Sequence, residues 1–372
     1  MKVATGLAIG REANPNLAAQ AVKQAMQTAD ITIASSVLLF LTSEFARDPV
    51  PALRAAAKAA SCTQIMGCSA PGVFTEHDWI LDAPAAAALV LSGEVALERP
   101  STKDANQLLL TLAAPNAINT TWMSGAGMSV PGIRFGGVSG DAIGQGPFSV
   151  WQNGKGMVAG HCEAALQGVK GVVAAAHGLR ILDKPKLVTK ADAYDVQMLV
   201  DKPALKVLQR ACDVVNESIP LHRIMAVYAE SAEAISAGDY QLATLVSGND
   251  NDQSTTLAKC VEVGQFLCWA LREVVAAQTD LQQTAVNLEI KLRLQTNNKA
   301  QPDFGLLFSC LGRGPYFYGG VDRDLSLLRA QFPNMPLIGF YGNGEIAPSN
   351  FKQHGGSELL PYSAVLGLFS HA

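Results

Sequence analysis

With 372 residues, 49% hydrophobic and only 16% charged, the chain can fill a sizeable core and is long enough for two domains. Its formal net charge of −4 and lack of a basic run argue against a nucleic-acid-binding tail, and the longest apolar stretch, Ile31–Leu41 with two serines inside it, falls short of the roughly 17–25 residues a membrane-spanning helix needs. Seven cysteines, an odd number without a CxxC pair, fit a reducing cytoplasm better than a disulfide framework.

Met1–Gly10 reads as a first strand, Val3–Ile9, and not as a signal peptide, because Arg11 and Glu12 follow it at once. Asn14 and Pro15 fit an N-cap followed by proline at the first helical position, and Ala18, Val22, Ala25 and Ala29 mark one face of the next helix. Ile31–Leu41 predicts a buried strand, after which Asp48 and Pro49 repeat the capping pattern before the stripe Leu53, Ala57, Ala60. Gln64–Gly67 predicts a strand running into the turn-like Cys68–Gly72, and Ala83–Leu91 another buried strand. Asn153-Gly154, between Phe148–Gln152 and Lys155–Ala159, is a hairpin signal, while His161–Leu166 reads as the start of a short helix. Strand and helix alternating in this way is an α/β pattern.

Lys184, Pro185, Lys186 and Lys190 mark an exposed crossing within Arg180–Ala191, which divides the chain into domains 1–190 and 191–372. Beyond it, Leu205, Leu208, Cys212 and Val215 share a helical face after Pro203, and Thr256–Ala277 is expected as a longer helix. Val286–Gln295 alternates apolar and polar residues at every step, which predicts a strand with one wet face, more natural in an antiparallel sheet. A repeat is also visible. Leu38–Leu41, Ile65–Cys68 and Ala83–Gly93 are echoed by Leu306–Ser309, the helix Arg323–Gln331, Leu337–Phe340 and Ala364–Ser370, with a weaker third copy around Ile133–Asp141. The expected fold class is α/β, with two domains, duplicated strand–helix–strand units, and mixed or largely antiparallel sheets covered by helices.

Four glycine-bearing segments follow predicted strands: Gly67–Gly72, Gly136–Asp141, Ser309–Gly314 and Gly339–Glu345. Glycine admits close backbone approach, and exposed N–H groups can hold a carboxylate or phosphate; simple turn chemistry is the competing reading. Neither GxxxxGK[ST] nor a GxGxxG loop after the first strand is present, so no nucleotide cofactor is expected, and without HExxH or a regular Cys/His set no metal is expected either. Cys68 and Cys310 sit where a nucleophile can stand, although buried small thiols fit equally. Arg272 and Arg313 can clamp a carboxylate, and Asp141 and Glu345 can receive an ammonium group, which together would suit a zwitterion; both arginines can instead pair with structural carboxylates. Ser69, Gly137, Ser139, Tyr341 and Asn343 complete the candidate ligand set, with no catalytic residue assigned.

Phe135-Gly-Gly-Val-Ser-Gly-Asp141, Phe308-Ser-Cys-Leu-Gly-Arg-Gly314 and Ile338-Gly-Phe-Tyr-Gly-Asn-Gly-Glu-Ile-Ala-Pro348, together with Gly67–Gly72 and Phe266–Arg272, resemble the glycine-loop, SCxGRG and GFYxxGEIxP segments of the FIST family, over about residues 30–350. The resemblance implies an N- and C-terminal pair of sensory domains binding a small molecule, an amino acid or related metabolite. Family members are often fused to signalling output modules. No such module is evident here, so a separate signalling partner is expected, with a homodimer as a further expectation and neither nucleic acid nor membrane insertion. Two other readings stay open: a hydrolase or transferase using Cys68 or Cys310, and a ligand-free interaction scaffold.

Overall fold

In a computed structural model the described residues are 1–118, 130–153, 157–158, 160–213, 215, 219–296, 301–349 and 356–371. The chain forms two compact units. The first takes Met1–Ala176, Leu281–Pro348 and Gly356–Ala372, and the second is built on His177–Asp280.

The first unit opens with β1 (Lys2–Ile9), α1 (Asn16–Ala29), β2 (Ser36–Thr42), α2 (Val50–Ala60), β3 (Ile65–Ala70), β4 (Gly72–Thr75), β5 (Trp79–Leu81) and β6 (Ala85–Ser92). It continues with β7 (Ala96–Glu98), β8 (Leu108–Ala113), β9 (Ile133–Val138), β10 (Val150–Gln152), β11 (Met157–Val158), β12 (His161–Gln167) and β13 (Val169–Ala176). The chain then builds the second unit from β14 (Leu179–Ile181), β15 (Lys186–Asp192), β16 (Asp195–Leu199), β17 (Lys202–Pro203), α3 (Ala204–Asp213), β18 (Ile224–Ala229), α4 (Ala232–Ser236), β19 (Gln241–Gly248), β20 (Thr255–Leu257) and β21 (Phe266–Arg272). Helix α5 (Val274–Gln295) leads back to β22 (Phe304–Cys310), α6 (Arg323–Gln331), β23 (Leu337–Gly342), β24 (Glu345–Pro348), β25 (Ser357–Leu360) and β26 (Ala364–His371).

The first unit is a threefold repeat. Its three six-stranded sheets run β1-β6-β2-β3-β10-β11, β7-β12-β8-β9-β24-β25 and β13-β26-β22-β23-β4-β5. Each sheet has one parallel pair at its centre, β2/β3, β8/β9 or β22/β23, and an antiparallel strand beside it, β6, β12 or β26. Each repeat also gives away a hairpin. β4–β5 extends the third sheet, β10–β11 the first, and β24–β25 the second. The sheets share one core, to which they contribute Leu38 and Phe40, Leu110 and Phe135, and Phe308 and Phe340. Alternation splits β2 between two layers. Leu38 and Phe40 enter the shared core, while Val37, Leu39 and Leu41 face the alanine-rich stripes of α1 and α2. The outer face of the third sheet is covered by α6 and by Leu281, Ala285, Leu288 and Leu292 of α5.

A glycine lies at the same place in each repeat. Gly67, Gly136 and Gly339 stand opposite Leu39, Thr111 and Leu307 across the central parallel pairs. A Cβ on them would meet the facing carbonyl oxygen at 1.7, 1.9 and 1.8 Å, so no other residue fits without moving a strand.

The second unit is a closed antiparallel ring, β21-β15-β16-β20-β19-β18, with β21 pairing β18 to close it. Leu205 and Leu208 of α3 join Val188, Val196 and Trp269 in its core.

The α/β class, the duplicated units, the mixed sheets and the Asn153 hairpin appear as expected, and the weak third copy is the middle repeat. The cut at residue 190 does not bound compact units. β4 pairs with β23, and β13 with β26, so both ends of the chain hydrogen-bond into one unit, and the second unit is inserted between β13 and β22. His161–Leu166 is strand β12 and not a helix, because it must close the middle sheet against β8. The expected helix Thr256–Ala277 is instead β20 and β21, followed by the start of α5. The expected strand Val286–Gln295 is helical: burial falls on Leu281, Ala285, Leu288 and Leu292, spaced by four and three, whereas Ile290 and Leu294 are 53% and 78% exposed.

Candidate ligand site

The strands β3, β9 and β23 end together, and their ends carry most of the candidate residues. Ser69 is the last residue but one of β3, and Ser139 follows β9. Their hydroxyls are 3.0 Å apart, and the Ser139 hydroxyl also donates to the Ser69 carbonyl at 2.6 Å. Ser149 N–H donates to the Ser69 hydroxyl (3.0 Å), and the Ser149 hydroxyl donates to the Ala46 carbonyl (2.5 Å). All three serines are buried. They form a fully enclosed hydroxyl cluster joining the first and second repeats, as buried polar groups require.

The third repeat joins through the turn after β23. Asn343 N–H donates to the Val138 carbonyl (3.0 Å), and Val138 N–H to the Gly344 carbonyl (2.9 Å). The Asn343 side chain is exposed and lies against Gly140, where a Cβ would approach it at 2.8 Å. Glu345 pairs in register with Gly137, is 0% exposed, and accepts the Ser363 N–H at 3.2 Å. The Ser363 carbonyl in turn accepts from Cys310 N–H (3.0 Å). Asp141 is folded onto its own turn, taking the N–H groups of Gly144 and Gly146. Ser69, Gly137, Ser139, Cys310, Asn343 and Glu345 are thus linked through one neighbourhood, with Asp141 two residues beyond Ser139.

Several expectations change. Cys68 is a core residue at 0% exposure, and burial, with Cys162 beside it, pushes its thiol well above the ordinary range. A thiolate is disfavoured there, and with it the nucleophile reading for this cysteine. The segment Gly67–Gly72 is largely β3 and the start of β4, so its first glycine answers to strand packing and not to a ligand loop. Arg272 lies on strand β21 of the second unit, where it donates to the His222 carbonyl (3.2 Å).

Arg313 is not a free clamp. It is 1% exposed, reaches Asp324 at 2.7 and 3.3 Å, and donates to the Ala176 carbonyl at 3.0 Å. The Tyr318 hydroxyl donates to the same Asp324 at 2.6 Å, and the Tyr341 hydroxyl to the neighbouring Asp322. Tyr341 therefore points out of the ligand neighbourhood and into this ionic cluster. Burial, and then Asp324, raise the Asp322 carboxyl to about 6; the Leu325 N–H and the Tyr341 hydroxyl oppose the rise.

Sequence reading missed Ser149, Ser363, Asp322 and Asp324. Asp322 had a local signal, since it caps α6 by accepting the Leu325 N–H (2.8 Å) just before a helical run. It also missed Arg134, 1% exposed, which binds Glu163 at 2.6 Å, with the Thr111 hydroxyl on the same oxygen. Among the described residues no group of three or more His, Cys, Asp or Glu side chains is disposed to hold a metal ion, and no helix is long and apolar enough to cross a membrane.

The FIST N domain family model matches residues 35–199, and the FIST C domain model matches residues 204–348. The chain belongs to the FIST family. FIST domains are regarded as sensory domains. An uncharacterized protein of Mycobacterium bovis is 26% identical over 249 residues, covering 64% of this chain and 61% of that protein. One from Mycobacterium tuberculosis strain H37Rv is 24% identical over 397 aligned residues, covering 99% of this chain and 100% of the relative. Human F-box only protein 22 is 49% identical over 45 residues, 11% of each chain. The chain thus spans less than two thirds of the length of the first of these relatives. The FIST signature and the structural repeat differ in phase: the N-domain match ends near β16, inside the inserted second unit.

Proposed function

We propose that this FIST protein is a sensory protein that binds a small amine-bearing metabolite, amino acids included, at the joined ends of β3, β9 and β23. The carrying observation is the approach of all three repeats there, with exposed Asn343 lying against Gly140 and the Glu345 carboxylate two residues away along the chain. Asp141 and Glu345 supply negative charge for an ammonium group, and Asn343 supplies an amide for an adjacent polar group. With Arg313 held by Asp324, recognition of the amine outweighs recognition of a carboxylate. The odd cysteine count and the free thiols fit a cytoplasmic protein, whose output would pass through a separate signalling partner.

A thermal-shift screen of amino acids and simple amines at millimolar concentration tests this reading, because a ligand selective for the native state must raise the unfolding midpoint. The expected result is a shift for at least one amine that disappears in Glu345→Gln and weakens in Asn343→Ala. No shift with any amine, or an undiminished shift in both variants, defeats the reading.

A further inference from the structure

The threefold repeat is broken in one place. In the first repeat, the link from the first strand to the central parallel pair carries α1, and in the third it carries α5. In the middle repeat the same link, from β7 to β8, is a helix-free loop. That loop walls a cavity of about 580 Å³ at the strand ends opposite the proposed amine site: the cavity takes in the start of β8 and β9 and the end of β12 and β26. The volume lies in the range of ordinary small-molecule pockets.

The walls have a definite chemistry. Leu166, Val169 and Phe369 give an apolar side, and Arg99 and Lys170 stand on the polar side. Neither cation makes an ion pair among the described residues. Two carboxylates also line the cavity. Asp104 is turned to its own loop, accepting the Asn106 N–H at 2.9 Å, and neither it nor Glu98 comes within 4.0 Å of either cation. Two cations without an ion-pair partner among the described residues therefore stand beside an apolar wall. We propose that this cavity is a second binding site, which takes a monocarboxylate carrying an aryl or alkyl body. The carboxylate lies between Arg99 and Lys170, with Arg99 presenting its planar donor pair, and the body lies on Leu166, Val169 and Phe369.

The proposal is independent of the amine site and is tested with 1-naphthoate by isothermal titration calorimetry on the full chain. One equivalent is expected to bind, with neutral 1-naphthamide binding at least about tenfold more weakly and rising salt weakening only the carboxylate. Arg99→Ala with Lys170→Ala is expected to weaken 1-naphthoate at least about tenfold, whereas Arg99→Lys with Lys170→Arg retains it. Both cations are exposed, so these changes leave the core intact. As a second measurement, Ala165→Trp, which adds bulk to the cavity wall, is expected to remove binding of both compounds. Glu345→Gln is expected to leave 1-naphthoate affinity unchanged, which separates this site from the amine site. Absence of 1-naphthoate binding to the wild type, equal affinity for the amide, or unchanged affinity in the double alanine variant overturns the proposal.

Discussion

Replacing Arg313 by alanine separates a structural arginine from a ligand-clamping one. Arg313 and Asp324 are 1% and 2% exposed, and the guanidinium makes two bonds to the carboxylate and a third to the Ala176 carbonyl. Removing one partner of such a buried pair costs about 3–5 kcal/mol, chiefly because a charge is left uncompensated away from water. The Tyr318 hydroxyl stays on Asp324 at 2.6 Å and softens that penalty, so the lower end, about 3 kcal/mol, is the expected loss. Urea unfolding followed by tryptophan fluorescence measures it, with Asp324→Asn and the double change Arg313→Ala/Asp324→Asn completing a cycle. The double variant is expected to lose less than the sum of the two single changes, because no orphaned charge remains. A single Arg313→Ala variant within about 1 kcal/mol of wild type, with an unchanged denaturant slope, would refute the reasoning and return Arg313 to the pool of ligand contacts.

Asp322 titrates near 6 in the folded protein and near about 3.9 in an unfolded chain, so the folded form holds the extra proton between these values; its contribution is present below about pH 4 and is lost as the pH rises through about 6. Asp322→Asn, which keeps an acceptor for the α6 cap, is expected to flatten the fall in unfolding midpoint between pH 4.5 and 7; identical slopes in the two proteins would count against the assignment. Gly339→Ala places a methyl group 1.8 Å from the Leu307 carbonyl, and its destabilisation should exceed about 3 kcal/mol or abolish folding, whereas soluble expression with a wild-type melting curve would show that the central strands can separate at no cost. Leu288→Ala should cost about 2–5 kcal/mol and Leu294→Ala under about 0.5, since the first is 1% and the second 78% exposed; equal effects in chemical denaturation would restore the strand reading of this segment.

The contrast between α5 and the glycine segments explains what the sequence could convey. Val286, Leu288, Ile290, Leu292 and Leu294 satisfy a period of two by composition alone, because a helix that buries Leu288 and Leu292 is free to carry apolar residues on its wet face. The i, i+4, i+7, i+11 series that decides the matter begins at Leu281, outside the alternating window. Phe266–Arg272 failed the opposite way: its buried strand reads as an unbroken apolar run, which periodicity cannot assign to helix or strand. The repeat was legible because each copy must bury a continuous strand and carry the same glycine within the strand that pairs with it. The exchange of hairpins was not, since β4 and β23 are separated by more than half the chain, and nothing local specifies which edge a short strand will join. Among site residues, the alignment of Ser69 with Ser139 was visible only as two polar positions after strands, while Ser363, far along the sequence, had no motif to mark its bond to Glu345.

A single physical demand therefore lies behind much of the family-like signature in this chain. Gly67, Gly136 and Gly339 recur because two parallel backbones approach too closely for a side chain, and that demand would persist if the protein bound nothing. Specificity must come from positions where the repeats differ after that glycine. There the first repeat closes with Ser69 against Ser139, the second turns Asp141 onto its own backbone, and the third exposes Asn343 beside a buried Glu345. The third repeat also ties its strand to an ionic cluster, through Tyr341 and Asp322. A change that perturbs Asp322 consequently acts on the strand that leads into Asn343 without touching any group at the surface of the amine site. An effect of Asp322→Asn on ligand affinity would then report coupling through β23, while an effect confined to stability would leave the two clusters energetically separate.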